Sequence, residues 1–311
     1  MKIVFIGTPE FGAIILEKLC KSEFKPSLVI TAPDKPVGRK QVITPPPVKI
    51  SAQKYNIPVE QPDKIRNLKL EIRNLKPDLG IIAAYGQILP KEILDMLKFG
   101  CLNVHPSLLP KYRGPTPMRF TILNGDKKTG VTIILMDEKI DHGPILAQGE
   151  WEISNPKITH PRLSKELAEV AAKLLIETIP KWLKGEIKPK TQDESQVTYT
   201  KILTREDGRI DWALSARQIE RQIRAFDPWP GAFTLMDSKK IKILEAEILE
   251  QTKVGPFGLP GKTFLAPNDK IAVQTGKDYL IIIKLQPEGK KPMASEELLR
   301  GNSDFVGTIL K

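Results

Sequence analysis

Lys2-Ile3-Val4-Phe5-Ile6-Gly7-Thr8-Pro9-Glu10 is the stretch on which the fold turns. Lys2 to Ile6 is an apolar run of the kind that forms a strand buried on both faces. Gly7 ends it, Thr8 is placed to cap a helix, and Pro9 suits the first helical position of a segment running through Lys21. A strand, a tight turn and a helix in that order begin a βαβ unit. The pattern then recurs: Leu28 to Ala32 is a second apolar run, and Pro77-Asp78 leads into a third, Leu79 to Ala83. Cys101 to His105 and Val131 to Met136 are further strands, and Pro161 to Lys184 has the period of a long amphipathic helix. The expectation is an α/β domain, doubly wound around a mostly parallel sheet. Ligands of such sheets bind beyond the carboxyl ends of the strands. Asn103 and His105 fall at one of those ends.

The length of 311 residues suggests about two domains, and an apolar fraction of 41% is ample for their cores. A net charge of +11 favours a polyanionic partner, whether nucleic acid, phosphorylated substrate or acidic membrane surface. Cys20 and Cys101 make neither a disulfide framework nor a metal-ligand cluster, which points to a reducing compartment. The first strand starts at Lys2, leaving no room for a signal or transit peptide, and no apolar run is long enough to cross a bilayer. A cytoplasmic protein is expected.

Lys188-Pro189-Lys190-Thr191-Gln192-Asp193-Glu194-Ser195 is polar and proline-bearing, the composition of a linker. Three parts follow: a first domain at 1–187, a linker at 188–205 and a second domain at 206–311. In the last, Ser215-Ala216-Arg217-Gln218 reads as a capping box for a helix whose Ile219, Ile223 and Phe226 share a face. Arg217, Arg221 and Arg224 recur on another face, either as a secondary nucleic-acid contact or as a solvated surface. Short strands come next, at Ala232 to Met236, Lys240 to Glu247, Ile271 to Thr275 and Tyr279 to Gln286. Turn signals such as Leu259-Pro260-Gly261 and Pro267-Asn268-Asp269 separate them. A small β-barrel of the oligonucleotide-binding type fits this pattern.

Chemistry concentrates around Asn103-Val104-His105-Pro106-Ser107-Leu108-Leu109-Pro110 and Asp141-His142-Gly143. Period-two alternation puts Asn103 and His105 on one face of a strand. A carboxamide that donates without titrating and an imidazole that can carry a proton suit the steadying of an oxyanion. Asp141 would be their acid/base or orienting partner. The bland alternative is a capped strand end with a surface histidine. Pro33 to Lys49 forms a long, basic, proline-stiffened connection where two to six residues are usual, so it is either functional or an ordinary solvated loop. Gly7-Thr8-Pro9-Glu10-Phe11-Gly12 lacks the G-x-G-x-x-G spacing of a dinucleotide site.

Several motifs together resemble the methionyl-tRNA formyltransferase family, within the 10-formyltetrahydrofolate-dependent formyltransferases. They are Gly7-Thr8-Pro9-Glu10-Phe11, Tyr85-Gly86-Gln87-Ile88-Leu89-Pro90, Asn103-Val104-His105, Ser107-Leu108-Leu109-Pro110, Tyr112-Arg113-Gly114, Thr129-Gly130-Val131-Thr132 and Asp141-x-Gly143. Glu206-Asp207-Gly208-Arg209-Ile210-Asp211-Trp212 and Arg224-Ala225-Phe226-Asp227-Pro228-Trp229-Pro230-Gly231 extend the resemblance over the whole chain. It implies formyl transfer from 10-formyltetrahydrofolate to the α-amine of methionyl-initiator tRNA, without a metal. Asn103 and His105 would hold the oxyanion and Asp141 would be the essential carboxylate. Ser107, Leu108, Leu109 and Pro110 would line the formylfolate pocket, with Gln87, Ile88, Leu89 and Pro90 adding contacts to the pterin. Leu108 and Leu109 also read as plain packing residues, and Tyr85-Gly86 as a strand-end turn. Lys35, Arg39, Lys40 and Lys49 are the expected tRNA contacts, and a monomer is expected. The chain departs from the family's usual pattern at Thr116, Met118 and Arg119, near where the acceptor should enter, and at His142, which stands beside Asp141 where a threonine is common. The alternatives are a formyltransferase acting on a small acceptor, a formylfolate hydrolase using water, or a catalytically silent RNA-binding protein.

Overall fold

The computed structural model describes residues 1–38, 40–250, 258–266 and 269–311. Two compact units make up the chain. One comprises residues 1–117, 127–154 and 162–202; the other comprises 118–126, 155–161 and 203–311.

The first unit opens with β1 (Ile3–Gly7), α1 (Glu10–Cys20) and β2 (Leu28–Ile30). A two-stranded hairpin follows, β3 (Lys35–Val37) and β4 (Val42–Thr44), and then α2 (Pro47–Lys54), β5 (Val59–Glu60) and α3 (Lys69–Leu75). Next come β6 (Leu79–Ala83), α4 (Lys91–Leu94) and β7 (Cys101–His105), after which α5 (Pro117–Asn124) belongs to the second unit from residue 118 onward. The last elements of this half are β8 (Lys128–Leu135), β9 (Ile145–Glu152) and α6 (His160–Leu183). The sheet runs β5-β2-β1-β6-β7-β8-β9. Its first five strands are parallel, with Phe5 beside Val29 and Ile81, and Ile82 beside Asn103. β8 turns antiparallel against β7, pairing His105 with Thr132, and β9 pairs antiparallel with β8. The doubly wound, mostly parallel sheet is therefore the observed architecture.

Burial explains the central strands: every residue of β1 and β6 is buried, as a sheet covered on both faces requires. The turn after β1 depends on glycine. A Cβ on Gly7 or Gly12 would stand 2.7 or 2.9 Å from the Ala83 carbonyl oxygen, so only glycine lets the strand–helix turn lie this close to β6. Thr8 does not cap α1. Pro9 is still extended, with ψ −179°, and its carbonyl accepts from Ala13 at 3.1 Å, so the helix starts one residue later than the Thr-Pro pair suggests. β9 escapes sequence reading because Gln148-Gly149-Glu150 breaks its apolar alternation. The basic connection after β2 is a hairpin rather than a loop, and all six of its strand residues are exposed.

Residues 188–202, linker-like in composition, run along the first unit. Lys190 pairs with Ile145, and Arg113 bridges to Tyr199. The backbone of Lys190, Thr198 and Thr200 hydrogen-bonds to Ile145 and Arg113, pairing that composition cannot reveal.

In the second unit, α7 (Ala216–Ala225) carries the expected capping box between Ser215 and Gln218. Its Ile219 and Ile223 are buried. β10 (Phe233–Met236), β11 (Lys239–Leu249), β12 (Thr263–Ala266), β13 (Lys270–Gln274), β14 (Tyr279–Pro287) and β15 (Met293–Ala294) form an antiparallel sheet, ordered β10-β11-β14-β13-β12 with β15 on β14. It is curled into a half-barrel, with α8 (Ser295–Gly301) following β15. Ile219 and Ile223 join Trp212, Ile241, Val273, Leu280 and Phe305 in its core. Pro267 and Asn268 of the expected turn lie outside the described residues. Arg221 donates to the Asn124 carbonyl at 3.1 Å, and Arg224 is ion-paired with Glu220 at 2.6 Å and donates to the Ile158 carbonyl. These two arginines are committed to internal contacts, while Arg217 is exposed. Among the described residues no helix is long and apolar enough to cross a membrane.

His160, also in this unit, gives a stability prediction. Burial, with Arg119 alongside, pushes its pKa down to about 3, so the fold holds the neutral ring. The unfolded chain binds the proton near the ordinary value of 6.5. The stabilisation is therefore complete above about pH 6.5 and declines by up to about 1.4 kcal/mol per pH unit as pH falls towards 3. Urea unfolding at pH 7 and pH 5 should show this loss in the parent and a smaller one in His160→Gln. Equal losses in both would contradict the assignment.

Candidate active site

Alternation along β7 places Asn103 and His105 on one face, as expected, and a later turn brings Asp141 between them. Asn103 Nδ2 donates to Asp141 Oδ1 at 2.9 Å, and His105 Nδ1 stands 3.5 Å from the same oxygen. The other carboxylate oxygen, Oδ2, accepts the Gly114 backbone N–H at 2.7 Å. The His105 and Asp141 side chains are only 5% and 13% exposed, so their electrostatics act with little water between them.

The second ring nitrogen decides the tautomer. His105 Nε2 lies 2.9 Å from the Tyr112 carbonyl oxygen, which can only accept, so Nε2 carries the hydrogen. Nδ1 is left facing the carboxylate, either as a lone pair or, once protonated, as the cationic half of an ion pair. Asn103 has one amide hydrogen committed to Asp141 and a second one free of it.

Two non-glycine residues here adopt left-handed backbone: Tyr112 at φ +64° and Asp141 at φ +48°. Such conformations cost on the order of 1–3 kcal/mol each and persist where their surroundings over-determine them. Tyr112 is fixed by His105 at its carbonyl and by Thr198 Oγ1 at its N–H, 2.8 Å away. Asp141 is fixed by Gln192, whose Nε2 donates to the Asp141 and Gly143 carbonyls, both at 2.8 Å. Gln192 Oε1 accepts from Arg113 Nε at 3.0 Å, and the Arg113 guanidinium, 1% exposed, makes two hydrogen bonds to Glu194. Those bonds hold the Glu194 carboxyl below its ordinary range. Sequence reading misses Gln192 and Thr198 because both sit in the polar stretch that looks like a linker.

The expected folate-lining residues separate into inward and outward groups. Ser107 and Leu109 are buried. The Ser107 hydroxyl donates to the Lys111 carbonyl at 2.6 Å. Thr132 Oγ1 donates to the Ser107 carbonyl and accepts from the Leu109 N–H, and Gln148 caps the Leu109 carbonyl at 2.7 Å. Leu108 and Pro110 are half-buried. Leu108 rests over Gly130, where an added Cβ would come within 2.6 Å of Leu108 Cδ2. β6 lies beside β7, so residues 84–90 leave the sheet at the same edge as His105. Gln87 is pinned there by the Ile65 N–H and the Asp63 carbonyl, Leu89 is buried, Pro90 is half-buried before α4, and Ile88 is 68% exposed.

The expected tRNA contacts also differ among themselves. Lys35 and Lys40 are exposed on or beside the hairpin. Lys49 lies on α2, half-buried and ion-paired with Asp34 at 2.7 Å. Hydrogen bonds from Gln61 and Lys49 hold the Asp34 carboxyl below its ordinary range. Arg39 lies outside the described residues.

Comparison with known proteins gives this geometry its context. Residues 1–179 match the formyl transferase family and residues 202–303 the formyl transferase C-terminal domain. The chain is 44% identical to methionyl-tRNA formyltransferase of Bacillus velezensis, over 99% of this chain and 97% of that one. It is 42% identical to the Chloroflexus aurantiacus methionyl-tRNA formyltransferase, over 97% of each. Among solved structures it resembles HypX from Aquifex aeolicus in complex with tetrahydrofolic acid, with a TM-score of 0.64 and 19% identity. That likeness covers 98% of this chain and 47% of HypX, so the chain spans about half of HypX's length and the likeness speaks to fold alone. With both family models matched and this identity sustained from end to end, the chain belongs to the formyl transferase family, among its methionyl-tRNA formyltransferases.

Proposed function

We propose that the chain transfers the formyl group of 10-formyltetrahydrofolate to the α-amine of methionine esterified to initiator tRNA. The observation that carries this reading is the convergence of Asn103, His105 and Asp141 in one largely buried cluster at the carboxyl edge of the sheet. Attack of a neutral amine on the formyl carbon creates an anionic oxygen. The free amide hydrogen of Asn103 and a protonated His105 Nδ1 are the donors suited to it. As the tetrahedral intermediate forms, the amine nitrogen must lose a proton, and Asp141 is the acceptor, directly or through water. Collapse breaks the bond from the formyl carbon to N10, and a proton equivalent to the one taken from the amine ends on that nitrogen, so the folate leaves with N10 neutral and Asp141 is again a carboxylate. The product is N-formylmethionyl-tRNA, used to start translation.

Ser107, Leu108, Leu109 and Pro110 form the folate-lining turn in this reading. Leu108 and Pro110 present their side chains, while Ser107 and Leu109 hold the turn's shape. Gln87, Ile88, Leu89 and Pro90 supply the neighbouring wall, with Ile88 as its exposed apolar contact. Residues 1–187 serve formyl transfer and 206–311 tRNA binding, with 188–205 as the tie between them. The protein acts as a monomer in the bacterial cytoplasm.

Lys35, Arg39, Lys40 and Lys49 lie near the acceptor stem in this scheme, with unequal weight. The Asp34 ion pair already neutralises Lys49. Replacing Lys35 and Lys40 together with alanine should flatten the slope of log affinity for methionyl-tRNA against log salt by about 1.8, at about 0.9 per lost phosphate contact. Lys49→Ala should change that slope little. An unchanged slope in the double variant would remove the hairpin from the interface. The function itself is tested by incubation with 10-formyltetrahydrofolate and methionyl-initiator tRNA: N-formylmethionine should be recovered after deacylation, and its absence would overturn the reading.

A further inference from the structure

We infer that Gln192 is a positioning residue for the transfer reaction, holding the Asp141 turn so that its carboxylate stays against Asn103 and His105. The inference rests on the formyl-transfer reading. Gln192 is 4% exposed, and its amide is fully committed. Oε1 must face the Arg113 Nε–H, which can only donate, and so Nε2 must face the Asp141 and Gly143 carbonyls, which can only accept. A flipped amide would oppose donor to donor and acceptor to acceptor. Arg113 fixes this orientation, and the paired hydrogen bonds to Glu194 fix Arg113 in turn. The chain beyond Arg113 closes the arrangement, because the N–H of Gly114 holds Asp141 Oδ2. Asp141 is thus clamped at its main chain by Gln192 and at its carboxylate by residues 103 and 114.

Removing the Gln192 amide leaves two carbonyls of a left-handed turn without their donor. The turn then has no reason to keep φ +48° at Asp141, and the carboxylate shifts relative to His105. A misplacement of about 1 Å in such a group costs on the order of 100-fold in rate. Neither substrate is touched, so the loss belongs in kcat and not in KM.

The test is steady-state formylation by Gln192→Met, with Gln196→Met as a control. Gln196 is exposed and bonded only to Asp193 in this stretch. Gln192→Met should lower kcat on the order of 100-fold and leave both KM values and tRNA affinity unchanged, while Gln196→Met behaves as the parent. Added to Asp141→Asn, it should cause almost no further loss, because a residue acting through Asp141 has nothing left to position. Gln192→Glu keeps the acceptor for Arg113 but turns the donor towards Asp141 into an oxygen; it gives the same reading if Gln192→Met does not fold. Near-parental kcat, a loss confined to KM, or a full multiplicative loss in the Asp141→Asn background would each overturn the inference. Failure of the parent chain itself to formylate methionyl-tRNA would instead strike the underlying function, so the two failures are distinct.

Discussion

Asp141→Asn is expected to lower kcat about 1,000-fold, the scale on which removal of a placed acid/base group acts, while leaving tRNA affinity intact. The size follows from what the carboxylate does in place. Its two oxygens accept from Asn103 and from the Gly114 N–H, and one of them faces His105 Nδ1. An ionised carboxylate is an acceptor everywhere, whereas an amide must present two hydrogens on one side. Whichever way the substituted amide turns, a donor meets a donor at Asn103 or at Gly114. The carboxylate oxygen that faces His105 Nδ1 at 3.5 Å is lost in one orientation of that amide as well. Single-turnover formylation with saturating tRNA measures the effect on chemistry alone, and near-normal turnover would refute the role given to Asp141.

His105→Ala should be similarly damaging, lowering kcat by about 100- to 10,000-fold. The ring is buried and held at both ends, by the Tyr112 carbonyl at Nε2 and by Asp141 at Nδ1. Alanine removes a proton carrier and leaves the left-handed Tyr112 carbonyl without its donor. Because the lesion is a missing ring in a space shaped for it, added imidazole should restore part of the rate in the variant and none in the parent. A loss smaller than tenfold, or full activity without imidazole, would show that the ring is not part of the chemistry.

Much of this arrangement can be read from sequence, for identifiable reasons. Apolar runs bounded by Pro77 and Gly100 delimit Leu79–Ala83 and Cys101–His105 to the residue. Alternation alone puts Asn103 and His105 on one face, and the period of the long helix comes within one residue of His160–Leu183. Asp141 can be named beforehand as a candidate partner from its chemistry in Asp141-His142-Gly143, but its contact with Asn103 cannot be read, because a turn contact 38 residues away leaves no periodic trace. Gln192 is invisible for a stronger form of the same reason. Its partners come from two other segments, at 113 and at 141–143, and its own neighbours are polar and proline-bearing. The β3–β4 hairpin shows the opposite failure. Composition reads Pro33 to Lys49 as an irregular loop, yet Val37 and Val42 pair while remaining more than half exposed. Strands without a buried face carry too little apolar patterning to be seen.

The measurement that bears most directly on the central claim is the fate of a labelled formyl group. The purified chain would receive formyl-labelled 10-formyltetrahydrofolate with methionyl-initiator tRNA, with methionyl-elongator tRNA, or with no acceptor, and label would be counted in N-formylmethionine and in free formate. The expected result is label in N-formylmethionine from the initiator, little from the elongator, and negligible formate without acceptor. Formate released at the same rate whether or not tRNA is present would contradict it and make the protein a formylfolate hydrolase.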